Sequence, residues 1–310
     1  MSFKFIRMQV LVCLFSMLPA SLQALETQQF ETKPLTSSDA KKAYIEKGVY
    51  GAADALSWEL AGIVAGITYL GIEEWDWGSA SFKFNAEGWF NMDTGSGGAD
   101  KLGHLYTSYL IDEYLTSQLY KKSGDIHFAA RNSAFFSWGL MMFVETFDGY
   151  SSDHGFSYED VIMNTTGIAV SYLKNTVPGL DEKLDLRIEY HPSKGMKGVH
   201  PITDYTGLTY SAALKLAGFE ALKPTPLKYL ELQLGYYAQG FKKQDAPYFS
   251  KRESSLYVGL GLNLTEVFFK PVRKYWDNPG LKYADTFFRY YQAPETYVSV
   301  DLKNRKAPRR

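Results

Sequence analysis

The stretch Leu230-Glu231-Leu232-Gln233-Leu234-Gly235-Tyr236, with Leu256-Tyr257-Val258-Gly259-Leu260-Gly261-Leu262-Asn263-Leu264 after it, decides the fold. Apolar residues fall on every second position in both runs. Successive side chains of a strand point to opposite faces, so this period puts one aliphatic face on each segment. The polar, charged stretch 242–253 between them suits the connection of a hairpin. The expectation is an antiparallel pair whose leucine face packs on protein, with Tyr229, Glu231, Gln233 and Tyr237 on the other side. Residues 297–302 offer one more strand. A closed outer-membrane barrel needs about eight strands, more than these runs supply.

Upstream the period changes from two to that of helices. Ser38 or Asp39 is a cap for a helix reaching about Gly48, and a second helix is expected over 52–70. Residues 73–98 are rich in Trp, Phe, Gly and Asn without helical periodicity, which reads as a long aromatic loop. Three helices follow over 99–122, 125–147 and 157–175, stopped by Gly124, a loop after Phe147, and Pro178-Gly179. Residues 191–201 read as a Gly/Pro/His-rich linker and 205–216 as a short helix. The expected class is α+β: a helical bundle of about five helices, then a small antiparallel β-sheet. In order, the chain divides into a signal peptide (1–24), a polar tether (25–38), a helical domain (39–178), a linker with a short helix (179–226) and a sheet region (227–310).

The signal reading rests on Lys4 and Arg7 before an apolar run from Met8 to Leu18, with Leu22-Gln23-Ala24 as a cleavage point. Cys13, the single cysteine, lies inside that run, and Val10-Leu11-Val12 before it makes a poor lipobox. The expected place is outside the cytoplasm: the periplasm or the periplasmic face of the outer membrane. A net charge of −1 gives no attraction for nucleic acid. Aromatic residues make up 16% of the chain, 23 of them Tyr, and such side chains suit glycan or lipid surfaces as well as a tyrosine-rich core. Residues 55–72 come nearest to a membrane span, but Glu59 and several glycines interrupt them, short of the about 20 apolar residues required.

Three polar motifs sit inside the helical stretches: Asp100-Lys101-Leu102-Gly103-His104, Glu145-Thr146-Phe147-Asp148, and Asp160 with Asn164 and Gly167. Ionisable groups on apolar helices are costly unless paired or needed. Asp100 and His104 are four apart and share a helix face, where a carboxylate can orient an imidazole and Lys101 adds charge. Glu145 and Asp148, and Asp160 and Asn164, repeat that one-turn spacing. His104, Asp100 and Glu145 are the candidate catalytic groups. Lys101, Asp148, Asp160, Asn164, Trp75, Trp77 and Trp89 are the candidate binding groups. Each also has a structural reading. Ser157-Tyr158-Glu159-Asp160 has the form of a capping box, Asp100 lies in a first turn that favours a carboxylate, and a lone histidine is often a satisfied core residue.

Asp148, Asp153 and His154 do not have the spacing of an EF-hand loop, and His127, His191 and His200 lack ligand spacing, so no metal is nominated and the cofactor is unknown. No nucleophile elbow, P-loop or dinucleotide fingerprint is present.

At these motifs the chain resembles the YfiM-like family of predicted periplasmic or outer-membrane lipoproteins, a domain of unknown function. The likeness runs through Trp75–Lys174: the aromatic loop, Ala99 to His104, Glu145 to Tyr150, and Gly155 to Gly167. The order Asp-Lys-x-x-His, Glu, Asp-x-x-x-Asn-x-x-Gly is similar, more loosely, to VanZ-like membrane proteins. Where those carry a Gln after the Glu and an Arg before the last Asp, this chain has Asp148 and residues such as Ser152. The resemblance implies an envelope location and the position of a site rather than a reaction. The leading expectation is an exported envelope protein that binds the polar head of an envelope lipid or glycan, with peripheral membrane contact. The alternatives are a hydrolase or transferase on an envelope substrate, with His104 as base, and a structural or assembly protein of the outer membrane.

Overall fold

A computed structural model describes residues 38–196 and 202–303. The expected signal peptide and all of the tether but Ser38 lie outside the described residues, as does His200. The chain divides into two compact units, one drawn from Met1–Asn85 and Ser108–Phe156, the other from Ala86–Thr107 and Ser157–Arg310.

The first unit is helical: α1 (Ser38–Glu46), α2 (Val49–Ala55), α3 (Ser57–Glu74), the part of α4 (Ala99–Ser123) from Ser108 onward, and α5 (Ile126–Asp148). Its core is Ala52, Ala55, Leu56, Leu115, Leu119, Phe128, Ala129 and Leu140, with Leu60, Ile63 and Phe136 packed on it. The single helix expected over 52–70 is instead two, bent by 71°. The wholly buried Leu56 stands at the bend with φ −98° and ψ 9°, the bridge region in which a helix ends. Among the described residues no single helix is long and apolar enough to cross a membrane.

The second unit holds the start of α4, α6 (Tyr158–Thr176), five strands and α7 (Pro279–Tyr290). The strands β1 (Leu184–Tyr190), β2 (Leu208–Lys215), β3 (Leu230–Gln239), β4 (Glu253–Leu262) and β5 (Tyr297–Asp301) form one antiparallel sheet in chain order. The expected hairpin is β3–β4. Two further strands occupy the segment read as a linker. The helix expected over 205–216 is a 3-10 turn, Tyr205–Gly207, followed by β2. Ser211-Ala212-Ala213 has helical propensity, but pairing to strands on both sides overrides it. The helix α7 was also missed, although Asn278 caps it by accepting from Leu281 N and Pro279 opens it.

The register sorts the sheet into rows. One face carries Leu184–Leu214–Leu232–Leu260–Val298 and Leu186–Ala212–Leu234–Val258–Val300. The other carries Asp185–Ala213–Gln233–Gly259–Ser299 and Arg187–Ser211–Gly235–Tyr257–Asp301. Burial runs opposite to expectation. Glu231, Gln233 and Tyr237 are buried, whereas Leu232, Leu234, Leu256 and Leu260 are exposed. The inward face is a charge cluster. Arg187 donates to Glu231 at 2.6 and 3.0 Å and to Asp185 at 3.2 Å; Lys215 reaches Asp185 at 2.8 Å. Lys174 of α6 and Arg289 of α7 each stand 3.7 Å from Asp185, and Gln292 accepts from Arg187 and Gln233. Burial works against Asp185's charge, but Lys215, Arg289, Lys174 and Arg187 hold its pKa well below the carboxylate range. Burial lowers Lys215 to about 8 despite Asp185. With its carboxylates held among cations, the cluster lies inside the fold and leaves the leucines outside.

Candidate functional site

In the second unit, α4 opens where Gly97 (φ 62°) and Gly98 (φ 87°) turn the chain. Both need the left-handed region, and a Cβ there would run into the rings of Phe241 and Phe90. Ser96 Oγ accepts from Asp100 N at 3.3 Å. On α6, Ser157 Oγ accepts from Asp160 N at 3.2 Å, as the capping pattern requires. The Asp160 carboxylate turns instead to Lys101.

Lys101 is the hub. It is 2% exposed, and its ammonium donates to Glu87 at 2.6 Å, Asp160 at 2.8 Å and Asp100 at 3.0 Å. Tyr205 donates to Asp100 Oδ1 at 2.7 Å, and Gly103 leaves room for the Tyr210 hydroxyl and the Tyr205 ring. His104 lies one turn on, its Nε2 3.8 Å from Asp100 Oδ1 and 3.9 Å from Asp160 Oδ1, ion-pair rather than hydrogen-bond distances. Glu159 ties the loop that carries Glu87 to α6 by accepting from Gly88 N at 3.1 Å and from Ser157 Oγ at 3.1 Å. Trp89 packs edge-on against Tyr158, with ring centroids 6.4 Å apart.

The electrostatics follow from this crowding. Burial opposes the Lys101 charge, but Asp100, Asp160 and Glu87 raise its pKa above the ordinary lysine value. Burial also disfavours ionised Asp100, yet His104, Lys101 and the Tyr205 hydroxyl hold it below the carboxylate range. Burial, then the Asp100 charge, pushes Glu87 up to about 7. Three carboxylates thus face one ammonium and one imidazole. Their outer members reach solvent: side-chain exposure is 23% at Glu87, 18% at His104 and 15% at Asp100. One ligand atom each from Asp100, His104 and Asp160 lie within 4.8 Å of one another, a set that could hold a cation.

Asp100, Lys101, His104 and Asp160 therefore come together, with Trp89 in the same unit and Asn164 buried one turn beyond Asp160 on α6. Glu145, Asp148, Trp75 and Trp77 belong to the first unit. There Trp77 Nε1 donates to Asp148 Oδ1 at 2.6 Å, and the Trp77 ring packs against Trp75, Phe143 and Phe147. Glu145 is 1% exposed. Sequence reasoning missed Glu87 and Tyr205. Glu87 had a signal, as an acid beside a glycine within an aromatic loop. Tyr205 had none, because its contact with Asp100 joins residues 105 apart.

A family model described as a predicted periplasmic lipoprotein (DUF2279) matches residues 86–176, which hold the whole centre except Tyr205. Accordingly the chain is an exported, periplasmic protein, and the match adds no reaction. No curated protein and no solved structure matches.

Proposed function

We propose that this protein binds the polar head of an envelope lipid or glycan at the centre formed by Glu87, Asp100, Lys101, His104 and Asp160. The observation that carries the reading is a buried ammonium held by three carboxylates whose outer members open to solvent, with Trp89 two residues after Glu87 in the chain. A network that only fixes helix register does best when sealed and balanced in charge. This one keeps a carboxylate surplus at its mouth, and that surplus accepts hydrogen bonds from hydroxyl or ammonium groups of a head group. Trp89 and Tyr158 supply flat faces for a sugar ring or an alkyl ammonium.

The test is titration calorimetry with a soluble short-chain phosphatidylethanolamine and with a peptidoglycan fragment, on wild-type protein and on His104→Ala and Asp100→Asn. Saturable binding of either probe, lost in both variants while circular dichroism is unchanged, supports the reading. Absence of binding to both probes, or binding unaltered by both substitutions, overturns it.

A further inference from the structure

Beyond that centre, the outward face of the sheet is built against the usual rule for a protein in water. Its two middle rows, Leu232–Leu260–Val298 and Leu234–Val258–Val300, are between 42% and 73% exposed. They cannot be turned inward, because the opposite rows hold Asp185, Arg187 and Glu231 in ion pairs. Contiguous exposed aliphatic rows of this kind mark a contact surface.

The borders of the face tell what covers it. At the end where β3 begins and β4 stops, Asn263 N donates to Tyr229 O; exposed Tyr229 with Lys228 precedes β3, and exposed Phe268, Lys270, Lys274, Tyr275 (91%) and Trp276 (68%) follow β4 in the chain. Lys228 lies over the Tyr229 ring at 5.1 Å, and Glu266 engages Lys270. At the other end, exposed Tyr248 accompanies exposed Lys243 and Lys251. A protein interface concentrates aromatic residues at its centre within a polar rim. Here aliphatic residues hold the centre, and the aromatic and basic residues hold both ends. That is the order of a lipid contact: hydrocarbon in the middle, amphipathic rings at head-group level, cations against anionic lipid.

We propose that the leucine face of β3, β4 and β5 is a lipid-contact surface, seated on the acyl layer of one anionic leaflet with Tyr229, Tyr275 and Trp276 among the head groups. The face lies along the leaflet. An open sheet has unpaired backbone groups at its edge strands, and these must stay out of hydrocarbon. The inference rests on the sheet alone and is independent of the centre around Lys101.

Flotation of the purified full chain with mixed phosphatidylethanolamine–phosphatidylglycerol vesicles tests it. Wild-type protein should float. The double variant Leu234→Asp, Leu260→Asp should lose vesicle affinity by about tenfold or more, since two charges would enter the acyl layer. The milder pair Leu234→Ser, Leu260→Ser should show a smaller loss in the same direction, with circular dichroism unchanged in each. Equal flotation of all variants overturns the proposal. So does a lipid-free wild-type dimer in light scattering that Leu260→Asp converts to monomer, because the face would then belong to a second copy of the chain.

Discussion

Two buried charge centres lie in the unit that contains the sheet, one around Lys101 and one around Arg187, and they balance charge in opposite ways. The sheet centre places Asp185 and Glu231 among Arg187, Lys215, Lys174 and Arg289, with Asp185 and Glu231 at 0% exposure. Cations are in excess there, and Gln233 and Gln292 add hydrogen bonds to Arg187 and Glu231. The helical centre places three carboxylates around one lysine, and its His104, Asp100 and Glu87 reach the surface. A sealed cluster, closed to solvent, serves to hold the fold together. An open cluster with surplus acceptors has capacity left for a ligand.

That contrast breaks most easily at Arg187. Arg187→Ala leaves Asp185 and Glu231 buried beside a missing partner and should destabilise the protein by about 3–5 kcal/mol in urea unfolding. His104→Ala, at the open mouth, should cost less than about 1 kcal/mol in the same assay, because its ion-pair distances are long and its ring is partly solvated. Equal losses would erase the distinction between the two centres.

Acid–base behaviour sharpens it. Glu87 titrates at about 7 in the folded protein against an ordinary value of 4.5. The folded state therefore holds a proton that the unfolded chain releases between those values. The stabilisation is fully present below about 4.5 and is lost as pH rises through about 7. Glu87→Gln should flatten the pH dependence of stability between about pH 4.5 and 7, by on the order of 2 kcal/mol once its partial exposure is discounted. A pH profile superimposable on the wild type would show that the centre does not hold Glu87 as the geometry implies. The smallest effect is expected at the cap. Ser157→Ala removes the acceptor for Asp160 N and should lower stability by about 1 kcal/mol in thermal melts.

Local rules made parts of this legible. Alternation identified β3 and β4, Gly124 marked the end of α4, and Ser157 announced its helix, because each depends on neighbours in the chain. The Asp100–His104 spacing likewise put both side chains on one face, and Asp160 joined them from another helix. Period two, however, cannot say which face of a strand turns inward. The charges between the leucines read as solvent-facing because their partners are remote: Glu231 is 44 residues from Arg187, and Gln292 is 105. Strand β1 showed the same alternation, Leu184-Asp185-Leu186-Arg187-Ile188-Glu189, but lay in a stretch read as linker. Tyr205 completes the helical centre through a fold-level contact that no local pattern encodes.

The rows of the sheet also bear on how such a chain leaves the cytoplasm. Each strand contributes only alternate apolar residues, so no long apolar stretch forms in β3 or β4 while the chain is unfolded, and mean hydropathy is −0.24. A secretion channel that releases any sufficiently hydrophobic helix sideways finds nothing to release there. The greasy surface does not exist in the threaded polypeptide. It comes into being when five strands align outside the channel, so transport would be finished before the proposed lipid contact could form.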